Sequence, residues 1–468
     1  MELADLSAVE LLDGYRTSSF SPVEVLDAVQ ERIEALELTL RALYSPDPDA
    51  ARRAAEESER RWRAGSPVGP LDGVPITIKE NIATRGVPVP MGTAATVLEP
   101  ATEDAPPAAR VREAGAVLLA KTTMPDYGML SSGLSSFHAL ARNPWNPAWN
   151  PGGSSAGAAA AATAGYGPLH LGSDIGGSVR LPASWTGVVT LKPSLGRVPI
   201  DPPYWGRVVG PLTRTVADTA LLMSVLAQPD ARDHMSLPPV SWDWSALDGD
   251  VRGLKVGLWT DAGCGLEVRP EVGAAVEAAA ALFADAGAVV EPVEPFFPRE
   301  MLDDLDLFWR VRSWADFCVL SHEQQASVLG YIADWCRGGA DVPGVVLMRC
   351  VNRMLEIRRV TVAATRPFDL VLSPVSPVVT FPAEWPSPTN DVQRPLDHIG
   401  FTVPFSMSEQ PAASINAGFT REGKPIGVQL AGRRFDDLGV LRATRWYERA
   451  RPPSATPSWP TPTSIIEP

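Results

Sequence analysis

The sequence predicts an α/β fold in which helices cover both faces of a central β-sheet. Short runs of β-branched and aliphatic residues, at 74–79 and 116–120, alternate with segments of helical periodicity at 108–114 and 215–227. This alternation is typical of a sheet that is buried on both sides. Hydrophobic residues make up 45% of the 468 residues, which is enough to supply a large core for such a sheet.

Residues 6–64 are predicted to form helices that pack on the outside of this sheet. Ser21 is followed by a proline and, three positions on, by Glu24, which together give a serine cap, a proline in the first turn and the second partner of a capping box. Another helix begins at Asp47 and is stopped by Gly65, since glycine commonly ends helices.

The strand at 74–79 ends in a lysine with two possible roles. Ile76 and Ile78 point to one face of this strand, whereas Thr77 and Lys79 point to the other. A lysine at the end of a strand could be a solvated edge charge. It could instead be a base, but only when it is neutral, so burial would have to lower its pKa from about 10.4.

Two glycine-serine turns follow, at 152–157 (GGSSAG) and 172–180 (GSDIGGSVR), and an alanine-rich run at 158–164 has the composition of a short buried helix. Glycines next to serines allow main-chain N–H groups to converge on one point. A reactive serine needs such donors for the oxyanion that it creates, and it also needs a base.

One alternative places Ser155 in a G-x-S-x-G nucleophile turn, which in α/β-hydrolases follows a buried strand. The preceding residues, 142–151, contain three prolines and three asparagines and therefore predict a loop rather than a strand. His322 or His398 could complete a triad with Ser155, but nothing around either histidine marks it out.

The order of lysine, first turn and second turn resembles the amidase signature family. The resemblance is dense over about 65–230 and returns near Lys424 to Gly432. The matching segments are GVPITIK (73–79), RNPW (142–145), GGSSAG (152–157), GSDIGGSVRLPA (172–183), GVVTLKP (187–193) and GPLTRTVAD (210–218). The resemblance implies the amidase-signature fold, with a twisted, mixed central sheet covered by helices on both faces.

The resemblance also implies roles for individual residues. Ser178 matches the nucleophile, Lys79 matches the general base, and Ser154 matches a bridging serine that follows a cis peptide bond after Gly153. The oxyanion hole would consist of the backbone N–H groups of Ile175, Gly176, Gly177 and Ser178. No metal or cofactor is implied.

A further loop, which contains Gly128 and Met129, is implied to contact the substrate, although core packing is the alternative for Met129. Neighbouring polar residues have simpler interpretations. Ser155 is given no chemical role, and Ser173 is expected to hold the tight loop. Asp174 and Arg180 are expected to form a structural ion pair that steadies the second turn.

The rest of the chain predicts one amidase-signature domain over 1–450, followed by a proline-rich tail at 451–468 that we expect to be mobile. Its parts are N-terminal helices (1–65), the catalytic core (66–230), a variable region (231–400) with a helical pocket wall (300–365), and closing strands and a helix (401–450). Further strands are predicted at 186–191, 254–259, 288–293, 368–372, 412–417 and 425–430, and further helices at 270–286 and 436–450. The strands at 412–417 and 425–430 are expected near the sheet edge.

Composition limits the partners. The net charge is −14 with no basic run, so neither nucleic acid nor an anionic membrane surface is an expected partner. The four cysteines show no C-x-x-C spacing, which suits a reducing cytoplasm. Neither a signal peptide nor a membrane-spanning segment is predicted, and we expect a monomer or homodimer.

The resulting expectation is a serine hydrolase that cleaves amides, and also esters and carbamates, through a Ser-cisSer-Lys triad and an acyl-enzyme. An aromatic-lined pocket would favour aryl substrates, and the candidate wall residues are Trp145, Trp149, Trp185, Tyr204 and Trp205. Two alternatives remain: the glutaminase A subunit of a tRNA-dependent amidotransferase, and a non-catalytic binding protein on the same fold.

Overall fold

A computed structural model describes residues 2–466, within which eleven strands form a single sheet. In chain order the strands are β1 (Leu43–Tyr44), β2 (Pro75–Lys79), β3 (Val117–Thr122), β4 (Leu169–Asp174), β5 (Val189–Lys192), β6 (Val208–Thr213), β7 (Lys255–Leu258), β8 (Val289–Pro292), β9 (Leu370–Pro374), β10 (Ala412–Phe419) and β11 (Pro425–Gly432).

The sheet is mixed, and its strand order is β1-β3-β2-β4-β6-β5-β10-β11-β9-β7-β8. Near one end, β2 pairs in parallel with β3 and β4, and near the other end β7 pairs in parallel with β8 and β9. The strands between these two parallel groups pair antiparallel.

Helices pack on the sheet in two groups. In chain order they are α1 (Ala8–Thr17), α2 (Pro22–Leu40), α3 (Pro48–Arg63), α4 (Pro106–Glu113), α5 (Ala156–Ala164), α6 (Arg180–Thr186), α7 (Val216–Leu226), α8 (Pro270–Asp285), α9 (Arg299–Phe317), α10 (His322–Ser327), α11 (Gly330–Arg337), α12 (Gly344–Thr365), α13 (Val403–Met407), α14 (Asp437–Ala450) and α15 (Pro462–Ile466). The short α5 and α6 contact each other and the central strands, whereas α14 contacts both α7 and α8.

The two groups bury different side chains of the same strands. Ile76 and Ile78 of β2 belong to the large core that includes residues of α7 and α14. The side chain of Lys79 instead reaches Ser154 in the first glycine-serine turn and Ser173 in β4. Strand β2 therefore has one apolar face in the core and one face at the candidate site, as its alternation predicts.

Local sequence signals explain the helix starts. Ser21 Oγ accepts a hydrogen bond from the Glu24 amide at 3.3 Å, and the Glu24 carboxylate accepts one from the Ser21 amide at 2.7 Å, which forms the predicted capping box. Asp47 caps α3 by accepting from the Ala50 amide at 2.9 Å. Helix α5 ends at Gly165, whose φ of 78° is the left-handed conformation that glycine favours.

Three expectations about the fold are wrong. The strand predicted at 186–191 begins only at Val189, because the end of α6 occupies Thr186. The second glycine-serine turn begins later than 172, since residues up to Asp174 belong to β4. Strands β10 and β11 lie inside the sheet, between β5 and β9, rather than near its edge. Every residue of β11 is buried, as in a central strand.

The described part of the proline-rich tail packs against the rest of the domain. Trp459 lies next to Trp145, with ring centroids 6.3 Å apart. Helix α15 contacts α2, and Ile465 is fully buried there. Within residues 2–466, no helix is both long and apolar enough to span a bilayer.

Candidate active site

The centre of the candidate site is Lys79, which lies at the end of β2 and is fully buried. Its Nζ atom lies 2.7 Å from Ser154 Oγ, 3.2 Å from Ser155 Oγ and 3.1 Å from Ser173 Oγ. The interpretation of Lys79 as a solvated edge charge is therefore wrong. The lysine joins Ser154 and Ser155 of the first glycine-serine turn to Ser173 of β4, the strand that leads into the second turn.

Burial lowers the pKa of Lys79 to about 7, because the charged ammonium loses its hydration. The carboxylates of Glu80 and Asp174 act in the opposite direction, and the guanidinium of Arg207 lowers the pKa further. Burial is the larger effect, so a substantial fraction of Lys79 is neutral near pH 7. A neutral amine can accept a proton from a neighbouring hydroxyl.

Ser154 is held by tight backbone packing. The peptide bond between Gly153 and Ser154 is cis, as the family resemblance implies. A Cβ atom on Gly153 would lie 2.4 Å from the Ser132 amide nitrogen, so only glycine fits there. A Cβ atom on Gly128 would lie 3.3 Å from Ser154 Oγ, which places the Gly128 loop directly over this hydroxyl.

Ser155 ties the two turns together. Its amide donates to the Ser178 carbonyl at 3.2 Å, and its hydroxyl donates to the Ser173 carbonyl at 3.2 Å. A loop rather than a strand precedes it, and His398 Nε2 lies 2.7 Å from Ser131 Oγ instead. Since His322 is exposed on α10, neither histidine completes the alternative triad.

Asp174 and Arg180 form the expected structural ion pair, with both side chains fully buried and Arg180 Nη2 at 2.9 Å from Asp174 Oδ1. Burial alone would raise the pKa of Asp174, but the charge and hydrogen bond of Arg180, together with Lys192 and the Val179 amide, outweigh this effect and lower the pKa. The carboxylate also accepts from the amides of Gly177, at 2.8 Å, and Val179, at 3.2 Å. The pair therefore fixes the backbone on both sides of Ser178.

The four amides expected to form an oxyanion hole are not equivalent. The Gly177 amide is engaged by Asp174. By contrast, the amides of Ile175, Gly176 and Ser178 donate to no protein acceptor within residues 2–466. Three donors of this turn are therefore free to bind an oxygen atom.

Ser178 lies at a narrow pocket that the Gly128–Met129 loop also lines, so the structure brings these predicted residues together. The pocket is also lined by Trp309 and Arg312 from α9, within the segment 300–365 that was predicted as a helical pocket wall, and by Leu396 and Ile399 from the loop before α13. None of these four residues was named as pocket-lining from the sequence, although helical spacing puts Trp309 and Arg312 on one face of α9.

The five aromatic wall candidates are placed elsewhere. Trp185 is fully buried against Phe381, and Trp145 packs against Phe419. Neither these two nor Trp149, Tyr204 and Trp205 line the pocket at Ser178. Among residues 2–466, no group of three or more His, Cys, Asp or Glu side chains is arranged to hold a metal ion.

Comparison with known proteins agrees with this geometry. The family described as amidase matches residues 24–441. An acylamidase from Rhodococcus erythropolis is 33% identical over 459 residues, which covers 96% of each chain. The A subunit of a glutamyl-tRNA(Gln) amidotransferase from Chloroflexus aurantiacus is 32% identical, covering 96% of this chain and 97% of that subunit.

The fold comparison gives the same result. The crystal structure of a bacterial aryl acylamidase of the amidase signature family has a TM-score of 0.87 and 31% identity, covering 95% of this chain and 96% of that one. The expected family and the α/β fold with a mixed sheet are thus confirmed. The chain belongs to the amidase signature family and is an enzyme that hydrolyses carbon–nitrogen bonds of amides.

Proposed function

We propose that this amidase acts through a Ser178–Ser154–Lys79 triad and an acyl-enzyme. The observation that carries the proposal is the buried Lys79 Nζ, 2.7 Å from Ser154 Oγ, with a pKa lowered to about 7. Ser178 faces the neighbouring pocket. A lysine in this state is a base at neutral pH, and the hydroxyl of Ser154 is the group that can relay a proton to it.

In the first half of the reaction, neutral Lys79 accepts the Ser154 proton while Ser154 accepts that of Ser178. Ser178 Oγ then bonds to the substrate carbonyl carbon, and the carbonyl oxygen becomes an oxyanion. The amides of Ile175, Gly176 and Ser178 are available to stabilise this charge. The proton returns through Ser154 to the leaving nitrogen, the C–N bond breaks and the amine departs.

In the second half, water takes the place of the amine. The same relay removes a proton from the water, whose oxygen attacks the acyl carbon. The bond from that carbon to Ser178 Oγ then breaks, Ser178 regains its proton, and the acid leaves. Because the acyl-enzyme forms with either leaving group, esters are substrates as well, and a carbamate would give an amine, an alcohol and carbon dioxide.

The apolar pocket supports small aryl or acyl amides as the substrates. Trp309, Leu181 and Ile399 surround the space in front of Ser178, and flat aromatic groups bind well on such surfaces. The relatives named acylamidase and aryl acylamidase agree with this choice.

A second candidate is the glutaminase subunit of an amidotransferase, which the 32% identity over 491 residues to such a subunit supports. The two candidates differ in what the purified single chain does. As an acylamidase, the single chain would hydrolyse anilides without any partner. As a glutaminase subunit, it would act on glutamine and depend on its partner subunits.

A mass-spectrometric hydrolysis screen tests both candidates. The panel contains primary amides, acetanilide, glutamine, short esters and a phenyl carbamate, and it is run with wild type, Ser178→Ala and the exposed-site control Ser66→Ala. We expect turnover of acetanilide by wild type and Ser66→Ala but not by Ser178→Ala. Equal turnover by Ser178→Ala would refute the triad. Turnover of glutamine but of no other substrate, or of no substrate without partner subunits, would favour the second candidate.

A further inference from the structure

Helix α9 carries three arginines, and only one of them faces the active-site pocket. Arg299 pairs with Asp303 and Asp397, and Arg310 pairs with Asp306. Arg312 lines the pocket together with Ser178. It is half-buried, and within residues 2–466 it has no carboxylate within 4.0 Å, unlike the other two.

The groups around Arg312 do not neutralise it. Its guanidinium carbon lies 4.5 Å from the centroid of the Tyr204 ring, and a second cation, Arg207, lies 5.7 Å from the same centroid. Burial and the charge of Arg312 both lower the pKa of Arg207. Asp316, one turn further along α9, is exposed and lies beyond ion-pair distance. Two guanidinium groups therefore lie near the same tyrosine ring in a chain of net charge −14, and of the two only Arg312 lines the pocket at Ser178.

The remaining lining makes this cation unusual. The pocket otherwise presents mainly apolar side chains, including Trp309 and Leu396. A charged group beside such a surface loses hydration, and it is stabilised when a partner of opposite charge arrives. The planar guanidinium presents parallel N–H donors that match the two oxygens of a carboxylate.

We propose that Arg312 binds a carboxylate carried by the substrate, so that the preferred substrates are amides that combine an apolar body with an anionic end. This inference rests on the proposed function, because it assumes that the scissile carbonyl lies at Ser178. It adds the substrate class that the triad alone does not define. Arg312 is thus a specificity residue, whereas the chemistry remains at Ser178.

Two matched substrate pairs test the proposal on either side of the scissile bond. Succinanilate is compared with butyranilide, and 4-acetamidobenzoate with acetanilide. We expect kcat/KM of wild type to be higher for the anionic member of one pair. Arg312→Met should lower that kcat/KM by about tenfold or more, because a charge-assisted hydrogen bond is lost. The neutral member should change little, and added salt should weaken only the anionic reaction.

A charge reversal sharpens the test. Arg312→Glu should favour 4-acetamidobenzylamine, which carries a cation in place of the carboxylate. Arg359→Met, which removes an exposed arginine on α12, is the control and should alter neither pair. The proposal is overturned if wild type shows no preference for the anion in either pair, or if Arg312→Met lowers anionic and neutral substrates equally.

A binding measurement separates this proposal from the proposed function. Calorimetric titration of Ser178→Ala with 4-acetamidobenzoate, acetanilide, succinanilate and butyranilide needs no turnover. The carboxylate site is supported if an anionic ligand binds more tightly than its neutral counterpart and this difference disappears in Ser178→Ala/Arg312→Met. This holds even if wild type hydrolyses none of the four compounds. Equal binding of anionic and neutral ligands refutes the site even if the triad is active.

Discussion

Lys79 and Lys121 lie on neighbouring strands of the same sheet and have similar burial and similar pKa values. Strands β2 and β3 pair in parallel, and Lys121 lies opposite Ile78, the residue before Lys79. Both lysines are buried, and burial lowers the pKa of each to about 7. Lys121 even lines the larger cavity, of about 410 Å³ against about 40 Å³ at Ser178.

The two lysines differ in their hydrogen-bond partners. Lys79 reaches three serine hydroxyls, whereas Lys121 donates to the Ile82 carbonyl and to Thr84 Oγ1. Because the Thr84 hydroxyl in turn donates to the Ile82 carbonyl, Lys121 has anchoring partners where Lys79 has a possible relay to Ser178. A lowered pKa beside a cavity therefore does not identify a base, and a hydroxyl that can pass a proton from a candidate nucleophile to the nitrogen atom is the better criterion.

Replacing each lysine by methionine gives the largest expected difference. We expect Lys79→Met to lower kcat/KM by about 10²- to 10⁴-fold, because the general base is lost. Lys121→Met should keep kcat/KM near the wild-type value, since Lys121 contacts no part of the triad. Anilide hydrolysis by variants with matching circular dichroism spectra measures both effects. A similar loss of kcat/KM in both variants would contradict the assignment of the base to Lys79 and not to Lys121.

Two of the three hydroxyls at Lys79, those of Ser154 and Ser155, can be distinguished in the same way. Ser154 and Ser155 both accept from Nζ, at 2.7 and 3.2 Å, but only Ser154 lies beside the Gly128 loop of the pocket. Ser154→Ala should lower kcat/KM by about 10²-fold or more. Ser155→Ala should mainly cost about 1 kcal/mol of stability, from its lost hydrogen bond to Ser173. Kinetics and urea unfolding of both variants distinguish these effects, and a greater kinetic loss in Ser155→Ala would reverse the proposed roles.

The sequence predicted the part of the site that lies in short, contiguous segments. Lys79 ends an alternating strand, and the two turns are rich in glycine and serine, so each segment carries a local signal. The strand-helix-strand unit of β7, α8 and β8 was predicted for the same reason. Which serines meet Lys79 was implied only by the family resemblance, because no local pattern encodes a contact between distant segments.

Long-range contacts account for what was missed. Trp309 and Arg312 lie more than a hundred residues after Ser178, and helical spacing cannot tell a pocket face from a core face. The central position of β10 and β11 depends on pairing with β5 and β9, which their own sequences do not specify. Ile465 is buried although its neighbourhood is rich in proline, since it fits a cluster with α2.

The pH dependence of catalysis tests whether Lys79 is neutral when it acts. With a pKa of about 7, the neutral fraction rises from about one tenth at pH 6 to about nine tenths at pH 8. The value of kcat/KM should therefore rise by about tenfold over this range. Burial lowers the pKa of His398 to about 3, so His398→Asn should leave the inflection unchanged. An inflection that moves in His398→Asn would assign it to the histidine instead.

Protein stability directly tests the lowered pKa that the two lysines share, and it gives the smallest expected effect. The folded-state pKa of Lys121, about 7, lies below its unfolded value of about 10.4. Between these values the unfolded chain binds more protons, so this group makes the free energy of unfolding rise with pH. Its cost to the folded state is greatest below pH 7 and fades toward pH 10.

Lys121→Met removes this dependence. The free energy of unfolding of wild type, relative to that of Lys121→Met, should increase by about 1 kcal/mol between pH 7.5 and 8.5. Urea unfolding at these two pH values measures it, with the exposed Lys255→Met as a control that should show no such slope. A flat difference would mean that Lys121 stays charged when buried. Burial alone would then not neutralise a lysine in this sheet, and the base at Lys79 would owe its neutrality to the nearby charge of Arg207.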